Sequence, residues 1–295
     1  MINYEKILAE PHANISLKDY ATDDTDGLKD KSEGKAVQKK NLEHLKELQD
    51  KLYAYNRYSL LLVFQAMDAA GKDSTIEHVM SGVNPQGCQV YSFKKPSDNE
   101  LEHDFLWRTY RAMPERGRIG IFNRSYYEEV LVTRVHPEYI VGQRIPGIHS
   151  VDDITHSFWE SRYRSINEME RHLCENGTVI LKFFLNVSRE EQKNRFLKRI
   201  NRPEKNWKFT MNDVEERKYW DDYQRVFEQA INHTSTEYAP WHIIPADHKW
   251  FMRAAVSEII VDKLQSLDLR YPEVTAKQKE NLLKAKEMFE NDPRA

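Results

Sequence analysis

The segment Gln65-Ala66-Met67-Asp68-Ala69-Ala70-Gly71-Lys72-Asp73-Ser74-Thr75 follows an apolar run at 60–64 and precedes Ile76, Val79 and Met80 at helical spacing. A strand, a tight turn and a helix in that order gather free main-chain N–H groups and the positive end of a helix dipole at one point, which suits a phosphate. Lys72, directly after Gly71, is placed to reach the outer phosphates. The strict pattern G-x-x-x-x-G-K-[ST] is broken twice. Ala66 stands at the first glycine and Asp73 at the metal-binding hydroxyl, with Ser74 and Thr75 further on. A bare Gly-Lys also fits an ordinary βα turn. The strand–helix context favours a phosphate cradle made of Ala69, Ala70, Gly71, Lys72, Asp73 and Ser74. Asp68 within such a loop repels anions unless it holds a cation, so it reads as a Mg²⁺ ligand. The alternative is a turn residue bonding its own backbone.

A second group lies at Asn123-Arg124-Ser125, with Glu128 and Glu129 shortly after. Arg124 past a strand end suits bidentate contact with a phosphate; Glu128 or Glu129 can share a metal with Asp68. The competing reading is a strand-end Asn in a turn beside a solvated Arg. Arg134 contacts an acceptor or pairs with a surface carboxylate. The third group is the run Lys193, Arg195, Lys198, Arg199, Arg202, Lys205 and Lys208, in which Glu204 is the lone acid. Arg195, Lys198, Arg199 and Arg202 share one helix face, and like charges at that spacing oppose their own helix unless an anion sits against them. A solvated face would intersperse acids, as 211–229 does, so a lid closing over a polyanion is the favoured reading. Lys94 and Lys95, before Pro96, extend the track. The histidines show no H-E-x-x-H and no cysteine pair completes a zinc site. Direct in-line transfer, rather than a phosphohistidine, is expected.

These groups must be held by elements, and the periodicity supplies them. The continuous apolar stretch at 60–64 reads as a strand buried on both faces, and 89–93, 118–122, 178–185 and 241–244 read as further strands. Between them, helical spacing marks 36–55, 99–111, 152–174, 189–200, 211–232 and 250–267. Ser97-x-x-Glu100, Ser188-x-x-Glu191 and Thr210-x-x-Asp213 are capping boxes or near relatives. This alternation implies a parallel sheet with helices on both faces. Residues 1–35 read as an extended arm, 36–270 as the main domain and 271–295 as a helical tail. At 295 residues and 40% hydrophobic content, the chain can build one large core. A mean hydropathy of −0.77 and no long apolar run exclude a membrane role. Cys88 and Cys174 cannot form a disulfide framework, and the start of the chain lacks a signal-peptide pattern, so a reducing cytoplasm is expected. The net charge of −3 argues against a nucleic-acid partner. Its distribution is uneven, however, because the bases concentrate on the loop, the Arg124 rim and 193–208.

The chain resembles the polyphosphate kinase 2 family. The likeness rests on Met67-Asp68-Ala69-Ala70-Gly71-Lys72-Asp73, Ser81-Gly82-Val83-Asn84-Pro85-Gln86-Gly87 and Ser92-Phe93-Lys94-Lys95-Pro96-Ser97. It continues in His103-Asp104-Phe105-Leu106-Trp107-Arg108 and in the stretch from Phe122-Asn123-Arg124-Ser125-Tyr126-Tyr127-Glu128-Glu129 to Val135. Trp207-Lys208-Phe209 and Pro245-Ala246-Asp247-His248-Lys249-Trp250 complete it, so residues 22–267 are covered in order. Ala66 and Glu129 depart from residues common in the family. The resemblance implies a three-layer α/β/α P-loop kinase fold with a central parallel sheet and a helical lid at about 195–215. It implies Mg²⁺-dependent transfer between inorganic polyphosphate and nucleotides, with Mn²⁺ a substitute. Asn123-Arg124-Ser125 with two acids resembles the class that phosphorylates both AMP and ADP, and guanine nucleotides stay open as acceptors.

On that basis the catalytic set is Asp68, Lys72, Asn123, Arg124 and Arg199, with Arg124, Glu128 and Arg134 on the nucleotide and Asp68 and Glu129 on the metal. Polyphosphate falls to the loop 69–74, Lys94, Lys95, Arg195, Arg199, Arg202 and Lys208. A homodimer or homotetramer is expected, with neither nucleic acid nor membrane as partner. The competing readings are an ATP-dependent nucleoside or nucleotide kinase of the same fold and a polyanion-binding module without turnover.

Overall fold

The structure is a computed structural model that describes residues 2–292, the side chains of Tyr4 and Lys208 excepted. Its N-terminal arm lies against the body. Leu8–Ala9 forms a short strand, β1, and Ile2, Ile7, Ala9 and Leu17 are buried in the main core. Two side chains of the last long helix before the final strand tie the arm down: Ile15 N donates to Asn232 Oδ1 at 2.9 Å and Leu17 N to Glu228 Oε2 at 2.8 Å. A two-residue strand carries no readable period, so patterning does not reveal it.

Helix α1 (Lys31–Tyr55) starts ahead of the expected 36 because Asp30 caps it, accepting from the N–H groups of Ser32 and Glu33. The chain continues through β2 (Ser59–Gln65), α2 (Lys72–Val79), β3 (Cys88–Ser92), α3 (Asp98–Leu101), α4 (Trp107–Tyr110) and β4 (Ile119–Asn123). Then come α5 (Val132–Val135), α6 (Glu138–Val141), α7 (His156–Glu175), β5 (Thr178–Asn186) and α8 (Arg189–Ile200). The last elements are α9 (Met211–Glu216), α10 (Trp220–Thr234), β6 (Trp241–Pro245), α11 (Lys249–Gln265) and α12 (Ala276–Glu290). The expected helix at 99–111 is two short ones. Asp104 breaks it by accepting from Leu106 N at 2.9 Å, so a polar side chain offers the backbone a turn in place of a continued helix.

Strand order is β1-β6-β5-β2-β4-β3, parallel throughout except for β1, which pairs antiparallel with β6. All seven residues of β2 are buried, as expected for a strand covered on both faces. Helices α1, α2 and α11 pack together as one group and α5, α7 and α10 as another, which completes the three layers. The chain moves from β2 out to β3 at the edge, returns to β4 beside β2, then crosses to the other side for β5 and β6. The carboxyl end of β2, between β4 and β5, is therefore the switch point at which open α/β sheets bind ligands. Among the described residues no helix is long and apolar enough to cross a membrane.

Candidate active site

The loop after β2 takes its shape from two residues with positive φ, Ala69 at 60° and Gly71 at 108°. Gly71 is the N-cap of α2, and a side chain there would be strained whatever space surrounds it. The Ser74 and Thr75 hydroxyls both turn back to the Gly71 carbonyl, at 3.1 and 2.9 Å. Thr75 is fully buried, so it offers no hydroxyl to a ligand. Lys72 Nζ donates to Ala66 O at 2.8 Å, and burial pulls its amine below the ordinary lysine range, with the Arg124 charge adding to this.

The carbonyls on the far side of the loop are held by Arg195. Its guanidinium donates to Ala70 O and Ala69 O, to Ala246 O at 2.5 Å and to Asp247 O at 3.2 Å, while Nε meets Glu191 Oε1 at 2.8 Å. Arg195 is 6% exposed and its donors are taken by the backbone and by Glu191. Holding those carbonyls leaves the opposite edge of the loop to face the cleft.

From the end of β4, Asn123 Nδ2 donates to Asp73 Oδ1 at 2.7 Å. Arg124 has φ of 64°, a conformation that costs a non-glycine residue on the order of 1–3 kcal/mol. The bend sends its guanidinium back over the loop, with Nη2 3.0 Å from Asp68 Oδ1 and Nη1 3.6 Å from Glu128 Oε2. Burial pushes the Glu128 carboxyl above the ordinary range, with the Arg124 charge opposing.

Two clefts open here. The first, about 660 Å³, is lined by Asp68, Ala69, Gly71, Lys72, Asp73, Ser74, Asn123 and Arg124 from the sheet edge, together with Arg195, Lys198, Arg199, Arg202, Lys205, Trp207 and Lys249. The second, about 600 Å³, carries more apolar surface, including Phe93, Leu101, Leu131, Val132, Tyr139 and Phe227, along with Arg108, Glu128 and Gln192. Asp68, Arg124 and Asp213 belong to both. The loop acid and the strand-end arginine thus stand at the junction.

The residues read from sequence separate accordingly. Arg199 and Arg202 face the first cleft, and Arg199 Nη1 lies 3.8 Å from Asp213 Oδ2. Lys94 and Lys95 line the second cleft. Ala70 is buried beneath the loop. Arg134 lines neither cleft; its Nη1 donates to Tyr163 OH at 2.7 Å and its guanidinium lies over Trp159. The Lys208 side chain lies outside the described residues. Glu129, 4% exposed, is held by Gln143 Nε2 at 2.6 Å, Arg162 Nη1 at 3.5 Å and Arg108 Nη2 at 3.9 Å. Glu128 rather than Glu129 therefore shares Arg124 with Asp68.

Lys249, Arg108 and Gln192 were not singled out from sequence. Lys249 follows closely on β6, where the strand-end rule alone would have flagged it. Burial, with Arg195 and Arg253 adding to it, brings the Lys249 amine down to about 8. A site that counts on this charge loses it as pH rises. The KM for an anionic ligand of the first cleft is expected to climb severalfold as pH passes through about 8, and Lys249→Arg is expected to flatten that limb; initial-rate kinetics across pH checks it.

As a metal site, the junction fits a hard cation. Asp68 and Glu128 present carboxylate oxygens around one arginine, the donor type that Mg²⁺ takes in small number beside substrate phosphates. No three His, Cys, Asp or Glu among the described residues gather into a cage, and a Mg²⁺ held here would draw the rest of its shell from substrate phosphates and water.

A family model described as polyphosphate kinase 2 matches residues 28–272. An ADP-polyphosphate phosphotransferase of Rhodopseudomonas palustris is 54% identical over 248 residues, covering 84% of this chain and 85% of that protein. An AMP/ADP-polyphosphate phosphotransferase of Meiothermus ruber is 45% identical over 273 residues, covering 91% and 96%. The crystal structure of polyphosphate kinase 2 from Arthrobacter aurescens superposes with a TM-score of 0.83 at 38% identity, covering 94% of this chain and 98% of that one. The loop, the strand-end arginine and the basic helix thus occur in a chain that belongs to the polyphosphate kinase 2 family.

Proposed function

We propose that this chain moves the terminal phosphoryl group of inorganic polyphosphate onto AMP and ADP, giving ADP and ATP, by direct in-line transfer. The observation that carries this reading is the pair of clefts meeting at Asp68 and Arg124. A polyphosphate chain needs bases along its length, which the first cleft offers through Lys198, Arg199, Arg202, Lys205 and Lys249. A nucleotide needs apolar walls for its base and a charged end for its phosphates, which suits the second. The transferring phosphoryl then lies where the clefts join.

There the protein's work is alignment and charge neutralisation, since phosphoryl transfer demands little covalent chemistry from it. The attacking oxygen belongs to the acceptor's terminal phosphate and is already anionic, so no general base is required. Lys72 exchanges Ala66 O for the transferring group. Arg124 spans donor and acceptor phosphates, and Asn123 fixes Asp73 at the start of α2. Arg199 screens the departing polyphosphate end. Asp68 and Glu128 would hold Mg²⁺, or Mn²⁺ in its place, which neutralises phosphoryl oxygens. We assign Arg195 to shaping the loop and leave Glu129 to its arginines.

Residues 195–215 act as the lid, between an arm at 1–35 and a tail at 271–295. Cytoplasmic residence and a homodimer or homotetramer complete the proposal; α12 presents Leu282, Leu283, Met288 and Phe289 to solvent, apolar surface suited to a second copy. Incubating the protein with polyphosphate, Mg²⁺ and AMP, without ATP, is expected to yield ADP and then ATP. Product that forms only with ATP as donor would instead make it an ATP-dependent kinase.

A further inference from the structure

Two features are each costly in isolation. Arg124 is a non-glycine residue in the left-handed region, a conformation that persists only where its surroundings over-determine it. Behind it, Glu170 on α7 and Lys182 on β5 form an ion pair with both side chains fully buried and Nζ 2.7 Å from Oε2. Such a pair roughly breaks even against apolar residues of the same volume, so stability does not account for it.

Three residues connect the two. Ser125, adjacent to Arg124, is buried, and its Oγ accepts from Gln65 Nε2 at 3.0 Å and from Tyr127 N at 3.2 Å. The Tyr126 and Tyr127 hydroxyls both donate to Glu170 Oε1, each at 2.8 Å. Lys182 Nζ donates in turn to Tyr127 OH at 2.9 Å and to Thr234 O at 2.6 Å. Elements α7, β5 and α10 thereby grip the turn Tyr126–Val130, which begins two residues after Arg124 and carries Glu128.

We propose that Glu170 and Lys182 are positioning residues, a buried clamp that acts through Tyr126 and Tyr127 to hold Arg124 in its left-handed conformation and aim its guanidinium at Asp68. Lys182 fixes the Glu170 carboxylate, the carboxylate fixes both tyrosine rings, and the rings fix the turn. The buried charge thus maintains a strained residue at the junction of the clefts. The inference rests on the role given to Arg124 above.

The test compares an apolar variant, Glu170→Leu/Lys182→Met, with an amide variant, Glu170→Gln/Lys182→Met, which keeps an acceptor for both hydroxyls. Both are expected to keep a wild-type Tm within a few degrees. The apolar variant is expected to lose at least about tenfold in kcat with polyphosphate and AMP, as misplaced catalytic groups do, at an unchanged polyphosphate KM. The amide variant is expected to recover most of that loss. A folded apolar variant with wild-type kcat overturns the clamp, as does a parallel fall of Tm and kcat in both variants. If the apolar variant does not fold, Tyr127→Phe decides. A kcat loss of about threefold or more at wild-type Tm supports the clamp, and an unchanged kcat overturns it. Arg124→Ala runs alongside. Wild-type kcat in that variant removes the role of Arg124 and the clamp with it, whereas its loss beside an unaffected apolar variant removes the clamp alone.

Discussion

Arg124→Ala is expected to lower kcat for phosphoryl transfer by on the order of 10³-fold or more, the effect typical of an arginine that meets transition-state charge. Among the described residues it is the only arginine common to the linings of both clefts, and it reaches Asp68 and Glu128 from one guanidinium. Its loss therefore affects the donor end, the acceptor end and the carboxylates together. Arg124→Lys is expected to restore little, because a point charge cannot span two groups as a planar fork does. Arg124→Gly separates the catalytic role from stability. Glycine adopts a φ of 64° without steric cost, and its entropic penalty in the unfolded chain is of the same order as the strain relieved. Thermal denaturation is expected to show no loss of Tm in the glycine variant, while its kcat falls as far as that of the alanine variant. A Tm that drops together with kcat would show that Arg124 serves the fold first.

Lys72→Ala is the second large effect, with kcat expected to fall roughly 10²–10³-fold, the usual cost of removing one preorganised donor from a transition state. Its amine bonds main-chain carbonyls of the loop, Ala66 O closest, and its charge is disfavoured there by burial and by Arg124. An incoming phosphoryl group reverses that balance, and the interaction tightens further in the transition state, where charge develops on the transferring oxygens, relative to the bound ground state. Interactions of this type appear in kcat rather than KM. Lys72→Met, which keeps the stem, is expected to match alanine in kcat and to exceed it in Tm. A binder without turnover would instead show a modest loss of polyphosphate affinity, and equilibrium binding measured beside the kinetics distinguishes the two.

Much of the architecture could be read from hydropathy because its elements are strongly periodic. The five long strands lie within a residue or two of the expected positions, and α8 spans 189–200 as expected. The phosphate loop was legible for the same reason, since strand, glycine, lysine and helix are adjacent in the chain. Helical spacing also placed Arg195, Arg199 and Arg202 on one stripe. It cannot say where along its axis a helix leaves the body. The first turns of α8 lie under the loop, so Arg195 lines the first cleft with its guanidinium already held by loop carbonyls, beside Lys198 and Arg199. Helix α8 ends at Ile200, so Arg202 lines the cleft from beyond the helix rather than from the shared stripe. Lys94 and Lys95 lie in the loop that follows the edge strand Cys88–Ser92, and that loop carries them to the second cleft, a matter of three-dimensional path rather than of spacing. The Glu170–Lys182 pair was hidden differently. Within the apolar strand 178–186 a lysine interrupts the pattern, and nothing local to it names the carboxylate on the preceding helix. Charge totals misled in the same way: a chain at −3 contains a strongly basic cleft.

The proposed mechanism depends on the division of labour between the two clefts. Its decisive measurement is a two-substrate kinetic analysis of Lys198→Ala/Arg202→Ala, with polyphosphate and AMP varied independently. Each lost contact to a polyanion weakens its hold, and neither residue lines the second cleft. The KM for polyphosphate is therefore expected to rise by about tenfold or more, with the KM for AMP within about twofold of wild type. A variant whose KM for AMP rises while its KM for polyphosphate stays put would contradict the placement of donor and acceptor, and with it the mechanism built on their meeting at Asp68 and Arg124.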